Sequence, residues 1–100
     1  MLLLAAAAAA DYRALGTEPF WSITITRDRV RIERPDRVAV SERRLTLARH
    51  ANGRTYRTRR IAVRITRSRC SDGMSDRTYP DTVRVTFEGQ TLSGCGFWKR

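Results

Sequence analysis

Hydrophobic and polar residues alternate in short runs after residue 10, which is the pattern of β-strands with one buried face. The first run is FWSITIT, at residues 20–26, and a second follows at residues 29–33. The side chains expected to face the core in these two runs are Trp21, Ile23, Ile25, Val30 and Ile32. A tight connection between the two runs predicts an antiparallel pair.

The middle of the chain shows weaker alternation. Val38 with Val40, and Leu45 with Leu47, predict two short strands or one bent strand. The AsnGly pair at 52–53 supplies the residue types that a type I′ hairpin turn prefers.

The longest predicted strand runs from residue 54 to about residue 67. The apolar residues change from even to odd positions near residues 59–60, so we expect a β-bulge there.

Two final strands are predicted at residues 83–87 and 91–95, joined by a turn at residues 88–90.

No segment after residue 10 has the period of an amphipathic helix. The sequence therefore predicts an all-β fold, a small antiparallel barrel or strongly curled meander of six to seven strands. Closure of such a sheet would remove exposed edges. Residues 11–100 are expected to form one domain.

The first ten residues, MLLLAAAAAA, differ from the rest of the chain. An apolar stretch with small residues before a polar segment is typical of a signal peptide, so residues 1–10 predict export to the periplasm or secretion. The apolar stretch is much shorter than the roughly 20 residues of a transmembrane helix. A plain alanine-rich leader or short helix is the alternative.

Cys70 and Cys95 are the two cysteines of the chain. In a small exported protein two cysteines predict a disulfide, because oxidising compartments preserve the bond and small domains bury little surface. Two free thiols or half a metal site is the alternative. It is disfavoured because there is no CxxC pair and His50, the one histidine, is distant in sequence.

The chain is strongly basic, with 20 Lys plus Arg against 10 Asp plus Glu and a formal net charge of +10. Arginine supplies 19 of those 20 bases. Such a surface attracts polyanions, including anionic envelope polymers and lipid head groups. Arginine usage typical of a GC-rich genome would give the same composition without a function. The predicted export and the few aromatic residues argue against a nucleic-acid partner.

Catalytic and metal-binding constellations are not visible in the sequence. His50 lies beside a predicted turn, and no base, nucleophile and oxyanion donor can be grouped from the pattern. No cluster of metal ligands and no phosphate-binding glycine motif occurs, so we expect no cofactor and no enzymatic activity.

Two segments contain the candidate binding residues. In GTEPFW, residues 16–21, Glu18, Phe20 and Trp21 could form an aromatic wall with an acid at an open end of the sheet. In the simpler alternative, Glu18 forms hydrogen bonds with backbone groups of the turn and Phe20 covers the end of the hydrophobic core. In CSDGMSDRTYP, residues 70–80, Asp72, Asp76 and Tyr79 could hold a cation or a basic partner group. Ordinary turn formation by Asp, Ser and Gly is the simpler role.

These two segments also carry a resemblance. YRALGTEPFWSITI, CSDGMSDRTYP and the late GCG together resemble a family of small bacterial envelope proteins, described as membrane or lipoprotein-like, found near META domains and lysozyme-inhibitor-like domains. The resemblance implies export, β structure and a Cys70–Cys95 bond, but no activity. The motif positions, none with an assigned role, are Gly16, Glu18, Pro19, Phe20, Trp21, Asp72, Gly73, Met74, Asp76, Tyr79 and Pro80.

Two functions follow as hypotheses. The first is an exported, non-enzymatic envelope domain that binds anionic polymers or lipid head groups through its arginines. The second, suggested by the resemblance, is an inhibitor of a cell-wall hydrolase such as lysozyme. Because lysozymes are basic, that role would need a local acidic contact such as Asp72 and Asp76.

Overall fold

The computed structural model describes residues 11–73 and 76–99, and that part of the chain is built from β-strands. The eleven strands are β1 (Asp11–Thr17), β2 (Phe20–Ile25), β3 (Arg29–Glu33), β4 (Val40–Arg43), β5 (Thr46–His50), β6 (Gly53–Arg57), β7 (Ile61–Thr66), β8 (Cys70–Ser71), β9 (Thr78–Tyr79), β10 (Asp81–Phe87) and β11 (Gln90–Lys99). The predicted signal peptide, residues 1–10, lies outside the described residues.

Nine of the strands form one antiparallel sheet in the order β4-β3-β2-β1-β11-β10-β7-β6-β5. The short strands β8 and β9 pair with each other as a separate hairpin. The all-β prediction and the strongly curled meander are confirmed, as a half-barrel with β4 and β5 at its edges. The predicted count of six to seven strands is too low.

The curl brings the two ends of the strand order together. Glu42 on β4 accepts hydrogen bonds from Thr58 and Arg60, which lie in the turn between β6 and β7. Arg34, which follows β3, also forms an ion pair of 3.4 Å with Glu88 in the turn between β10 and β11, although β3 and β10 are not neighbours in the sheet. Such contacts between distant strands require the sheet to wrap around its inner face.

The core fills the inner face of the curled sheet. The inward residues predicted for the first two runs, and those of β10, are all buried. The buried hydrophobic side chains of the core are Tyr12, Ala14, Trp21, Ile23, Ile25, Val30, Ile32, Tyr56, Ile61, Val63, Ile65, Val83, Val85, Phe87 and Leu92. Outward positions alternate with these residues along each strand, as the period of two requires.

Strand β1 is central to the sheet, although the hydrophobic pattern predicts no strand over residues 11–17. It pairs with β2 on one side and β11 on the other. Its inward positions are Tyr12, Ala14 and Gly16. Alanine and glycine contribute little to a hydrophobic pattern, so the alternation in β1 is not visible in the sequence.

The predicted long strand with a bulge is wrong. Residues 54–67 form two strands, β6 and β7, joined by a turn in which the Thr58 amide donates to the Ile61 carbonyl at 2.8 Å. The apolar positions change parity at residues 59–60 because the chain reverses direction there and both strands keep their apolar side inward.

The predicted AsnGly turn is also shifted. Ala51 and Asn52 form the turn, and Gly53 is already paired with His50 in the β5–β6 ladder. Asn52 and Gly53 do not adopt positive φ. Gly53 is required for another reason, since a Cβ there would lie 1.9 Å from the Ile65 carbonyl oxygen.

The two short strands predicted near residues 38–47 are present as β4 and β5, but Val38, which is 89% exposed, and Leu45 lie outside them. The predicted turn at residues 88–90 is present, with Glu88 and Gly89 both at positive φ. The predicted last strand is longer than expected and continues to Lys99.

The Cys70–Cys95 disulfide is confirmed, with a Cα–Cα distance of 5.5 Å. It links β8 to β11 on the outer face of the sheet, where Cys95 lies opposite Leu15 and Thr82. The bond therefore holds the 70–79 hairpin against the outer face, which positions the segment for the site described next.

Candidate functional site

The GTEPFW segment forms the end of β1, the turn at residues 18–19 and the start of β2. Trp21 is only 3% exposed and packs on the inner face, where a Cβ on Gly16 would lie 2.0 Å from its indole nitrogen. Phe20 points to the outer face and is 53% exposed. Glu18 is exposed in the turn. Phe20 is therefore the more accessible of the two aromatic residues.

The disulfide segment packs beside that turn. The Thr17 hydroxyl donates to the Asp72 backbone carbonyl at 3.3 Å, and the Tyr79 hydroxyl donates to the Asp72 carboxylate at 3.4 Å. Tyr79 is buried, with its ring centroid 5.6 Å from that of Phe97. Asp76 is exposed. Asp72 and Tyr79 therefore hold the β8–β9 hairpin in place. Asp76 is more exposed than Asp72.

The two sequence motifs meet in a depression on the outer face. It has a volume of about 290 Å³ and lies between Thr17 and Glu18 on one side and Ser71 and Asp72 on the other. The Cys70–Cys95 disulfide also lines it. The structure thus brings Glu18 and Asp72 together, whereas Asp76 and Tyr79 do not line this depression.

An apolar groove of about 370 Å³ adjoins the depression and shares Leu15, Gly16 and Thr17 with it. Phe20 and Pro35 form much of its apolar wall. Phe20 therefore lies at the surface of the groove, whereas Glu18 does not line it, and the aromatic wall with an acid expected from GTEPFW stays a prediction.

A third, smaller depression adjoins the first on its other side. It has a volume of about 190 Å³ and is lined by Arg64, Thr66, Thr82 and Arg84. Thr82 lines both depressions. The three depressions therefore adjoin one another on the outer face, along β7, β10, β11, β1 and β2.

The outer face of the large sheet is strongly basic. Its outward strand positions include seven arginines and two acids, namely Arg13, Arg29, Arg31, Arg43, Arg57, Arg64 and Arg84 against Asp11 and Glu33. Two pairs of these arginines lie directly opposite each other, Arg64 with Arg84 and Arg29 with Arg43. Like charges in directly opposite positions destabilise a sheet unless an anion lies between them.

Sequence reasoning did not single out Arg64 and Arg84. The available signal was the outward alternation of RxT in β7 and TxR in β10. The pattern does not reveal that β7 and β10 are neighbours in a register that aligns the two motifs, because the strand order depends on contacts between distant parts of the chain.

A polar cluster lies on the inner face. The Tyr12 hydroxyl donates to the buried Asp81 carboxylate at 2.7 Å, and the Arg54 guanidinium lies 5.1 Å from the Tyr12 ring and 4.9 Å from the Trp98 ring. Burial, together with the Asp81 hydrogen bond and charge, raises the pKa of Tyr12 well above its ordinary value. Tyr12 consequently keeps its proton to higher pH than an exposed tyrosine does, and it donates to Asp81.

Comparison with known protein families, curated proteins and solved structures gives no match. The family resemblance of the two motifs remains a prediction. Among residues 11–73 and 76–99, no group of three or more His, Cys, Asp or Glu side chains is arranged to hold a metal ion. The same residues include no helix long and apolar enough to cross a membrane.

Proposed function

We propose that this chain is an exported, non-enzymatic envelope domain that binds anionic polymers or lipid head groups through the outer face of its sheet. The observation that carries the proposal is the pairing of arginines on that face, with Arg64 opposite Arg84 and Arg29 opposite Arg43. These four side chains make no hydrogen bond or ion pair with the residues that the structure describes.

A solvated positive surface and a binding surface differ in how the charges are placed. A protein selected only for solubility has no need of directly opposed like charges, which weaken strand pairing. An anionic ligand would convert that repulsion into attraction, because guanidinium groups bind phosphate and carboxylate oxygens as charge-assisted donors. Under the proposal, the directly opposed arginines are present because they contact the anionic ligand.

Export is part of the proposal and is supported by the disulfide. Disulfides persist in oxidising compartments and are rare in a reducing cytosol. The intact mass of the protein recovered from its host tests this directly, since it reports both leader removal before Asp11 and the two-hydrogen loss of the disulfide.

Binding is tested with vesicles containing phosphatidylglycerol, with phosphatidylcholine vesicles as the neutral comparison. We expect binding to the anionic vesicles only, and a steep loss of affinity as salt shortens the Debye length from about 10 Å at 0.1 M to about 3 Å at 1 M. Binding that is equal for the two vesicle types, or unchanged in high salt, would show that the arginines are not responsible.

A matched pair of variants locates the surface. Replacing Arg29, Arg43, Arg64 and Arg84 by Gln removes four charges from the outer face, whereas replacing Arg27, Arg37, Arg59 and Arg67 by Gln removes four exposed charges outside the strands. We expect at least about a tenfold loss of affinity in the first variant and a clearly smaller loss in the second. Equal losses would mean that net charge acts and the outer face does not.

Inhibition of a cell-wall hydrolase is the second candidate, and one observation favours it. Glu18 and Asp72 line a single depression, which gives a basic enzyme a local acidic contact on an otherwise basic protein. Lysozyme activity is measured with the parent protein and with a Glu18→Gln plus Asp72→Asn variant. Inhibition that weakens in the variant supports the candidate, and no inhibition by the parent protein ends it.

A further inference from the structure

Four outward side chains on β7 and β10 form a compact block. Arg64 lies directly opposite Arg84, and two positions along the strands Thr66 lies directly opposite Thr82. Opposite side chains in antiparallel strands have Cβ atoms about 5 Å apart, and outward neighbours along a strand are about 7 Å apart. The four side chains line a depression of about 190 Å³ by themselves.

The block offers hydrogen-bond donors that are not used by the described part of the chain. The side chains of Arg64, Arg84 and Thr66 make no hydrogen bond or ion pair within it. The Thr82 hydroxyl donates to the Ser68 carbonyl at 2.9 Å, which fixes its orientation. Two guanidinium groups, each with several donors, and the Thr66 hydroxyl therefore face one small volume.

The chemistry of these donors selects the ligand. No acidic side chain lines the depression, so a cation is repelled. A tetrahedral oxyanion presents three or four acceptor oxygens in different directions, which matches donors arriving from two facing strands. A carboxylate presents two oxygens in one plane and can satisfy one guanidinium fork fully.

We propose that this depression, which we call the oxyanion subsite, binds a phosphate or sulfate group of the anionic ligand. This inference rests on the proposed function, because it names the part of the outer face that takes the ligand's charged group. The disulfide depression adjoins the subsite at Thr82, and the apolar groove beside Phe20 adjoins that depression in turn, so the rest of a larger ligand can contact these surfaces.

The second opposed pair provides an internal control. Arg29 and Arg43 are directly opposite on the same face, but the adjacent outward pair is Arg31 with Ser41. Arg31 already lies 3.8 Å from the Glu33 carboxylate. Removing both arginines of either pair changes the net charge equally, so a difference between the two variants reports the subsite and not the overall charge.

The first measurement uses the parent protein with inorganic phosphate and then sulfate, in a chloride background of constant ionic strength. Chemical-shift changes are followed at the Arg64 and Arg84 side-chain NεH groups and at the Thr66 and Thr82 amides. We expect changes centred on these four residues with phosphate and with sulfate, and much smaller ones with acetate. Changes spread evenly over all exposed arginines would overturn the subsite.

The second measurement compares polyphosphate affinities. We expect Arg64→Gln plus Arg84→Gln to raise Kd at least about tenfold, and Arg29→Gln plus Arg43→Gln to raise it about two- to threefold. An Arg64→Lys plus Arg84→Lys variant keeps the charge but loses the planar donor forks, so it should remain several-fold weaker than the parent. Circular dichroism and thermal unfolding confirm that each variant is folded.

The outcomes separate the two claims. If the parent protein binds neither polyphosphate nor anionic vesicles, the proposed function and the subsite are both overturned. Equal weakening by the two glutamine variants, or full affinity in the lysine variant, leaves the proposed function standing and overturns the subsite. Competition between phosphate and polyphosphate for the same residues tests the source of the bound group. Tighter binding of phosphate would indicate the free ion, and tighter binding of polyphosphate would indicate a polymer.

Discussion

Tyr12 and Asp81 form a hydrogen bond of 2.7 Å inside the core, although they are 69 residues apart in sequence. Tyr12 lies on β1 and Asp81 opens β10, with β11 between them in the sheet. Gly96 on β11 makes the contact feasible, because a Cβ there would lie 2.2 Å from the Tyr12 hydroxyl oxygen. The hydroxyl therefore reaches across one strand to satisfy the carboxylate.

Tyr12→Phe should destabilise the fold by about 2–3 kcal/mol, because it removes the hydrogen bond that the structure gives the Asp81 carboxylate and leaves a buried charged acceptor unsatisfied. Denaturant unfolding monitored by circular dichroism measures the loss. In the Tyr12→Phe plus Asp81→Asn double variant, part of that stability should return. A single-variant loss below about 0.5 kcal/mol would mean that water satisfies Asp81.

The alkaline limit of stability should also depend on Tyr12. Its pKa is raised in the folded protein by burial and by Asp81, so the unfolded chain releases this proton first, near pH 10. The contribution of Tyr12 is therefore complete below about pH 10 and falls above it, with a slope approaching 1.4 kcal/mol per pH unit for one proton.

Unfolding free energies of the parent and of Tyr12→Phe between pH 9 and 11 test this dependence. The parent should lose more stability over that interval than the variant does, since the variant has no proton to release at this position. Parallel curves for the two proteins would show that Tyr12 titrates normally in the folded state.

The elements that could be predicted from the sequence are those in which large apolar residues alternate. Trp21, Ile23 and Ile25 on β2 carry enough hydrophobic contrast to identify both the strand and its buried side. In β1 the same role falls to Ala14 and Gly16, and a side chain at Gly16 is excluded by Trp21 and by the Ser93 carbonyl of β11. That requirement comes from residues far away in the chain, so the hydrophobic pattern of residues 11–17 does not indicate a strand.

The candidate site shows the same division. Glu18, Phe20 and Asp72 were singled out one segment at a time, and the sequence did not indicate that the Thr17 hydroxyl would join the two segments through Asp72. Arg64 and Arg84 were two of many arginines until the β7–β10 register aligned them. The residue types in one segment can be taken from the sequence, whereas the alignment of residues on neighbouring strands depends on the strand order of the sheet.

Glu42 should control stability on the acid side. Its partial burial raises the pKa, but the hydrogen bonds from Arg60 and Thr58 together outweigh that effect, so the pKa of Glu42 lies below its ordinary value of 4.5. The stabilisation is therefore present above about pH 4.5 and is lost as pH falls through the lower, folded-state value. Glu42→Gln should cost about 1–2 kcal/mol at neutral pH.

The comparison for Glu42 is Glu33→Gln. Glu33 is exposed and lies 3.8 Å from Arg31, so its removal should change stability by less than about 0.5 kcal/mol. Acid titration of the unfolding free energy should show a smaller loss between pH 5 and 3 in Glu42→Gln than in the parent. If Glu33→Gln alters the acid profile as much as Glu42→Gln does, the bridge between β4 and the β6–β7 turn is not the cause.

Removal of the disulfide should be the largest single loss of stability among these changes. The bond closes a loop with a sequence separation of 25, for which the chain-entropy relation gives about 3.5 kcal/mol. A Cys70→Ala plus Cys95→Ala variant, compared with the parent by denaturant unfolding with and without reductant, measures it. Reductant should destabilise the parent and leave the variant unchanged, while Ser71→Ala on the same short strand should stay within about 0.5 kcal/mol of the parent. A loss below about 1 kcal/mol in the double variant would mean that the contacts of Tyr79 with Phe97 and Asp72 hold the hairpin on the sheet without the crosslink.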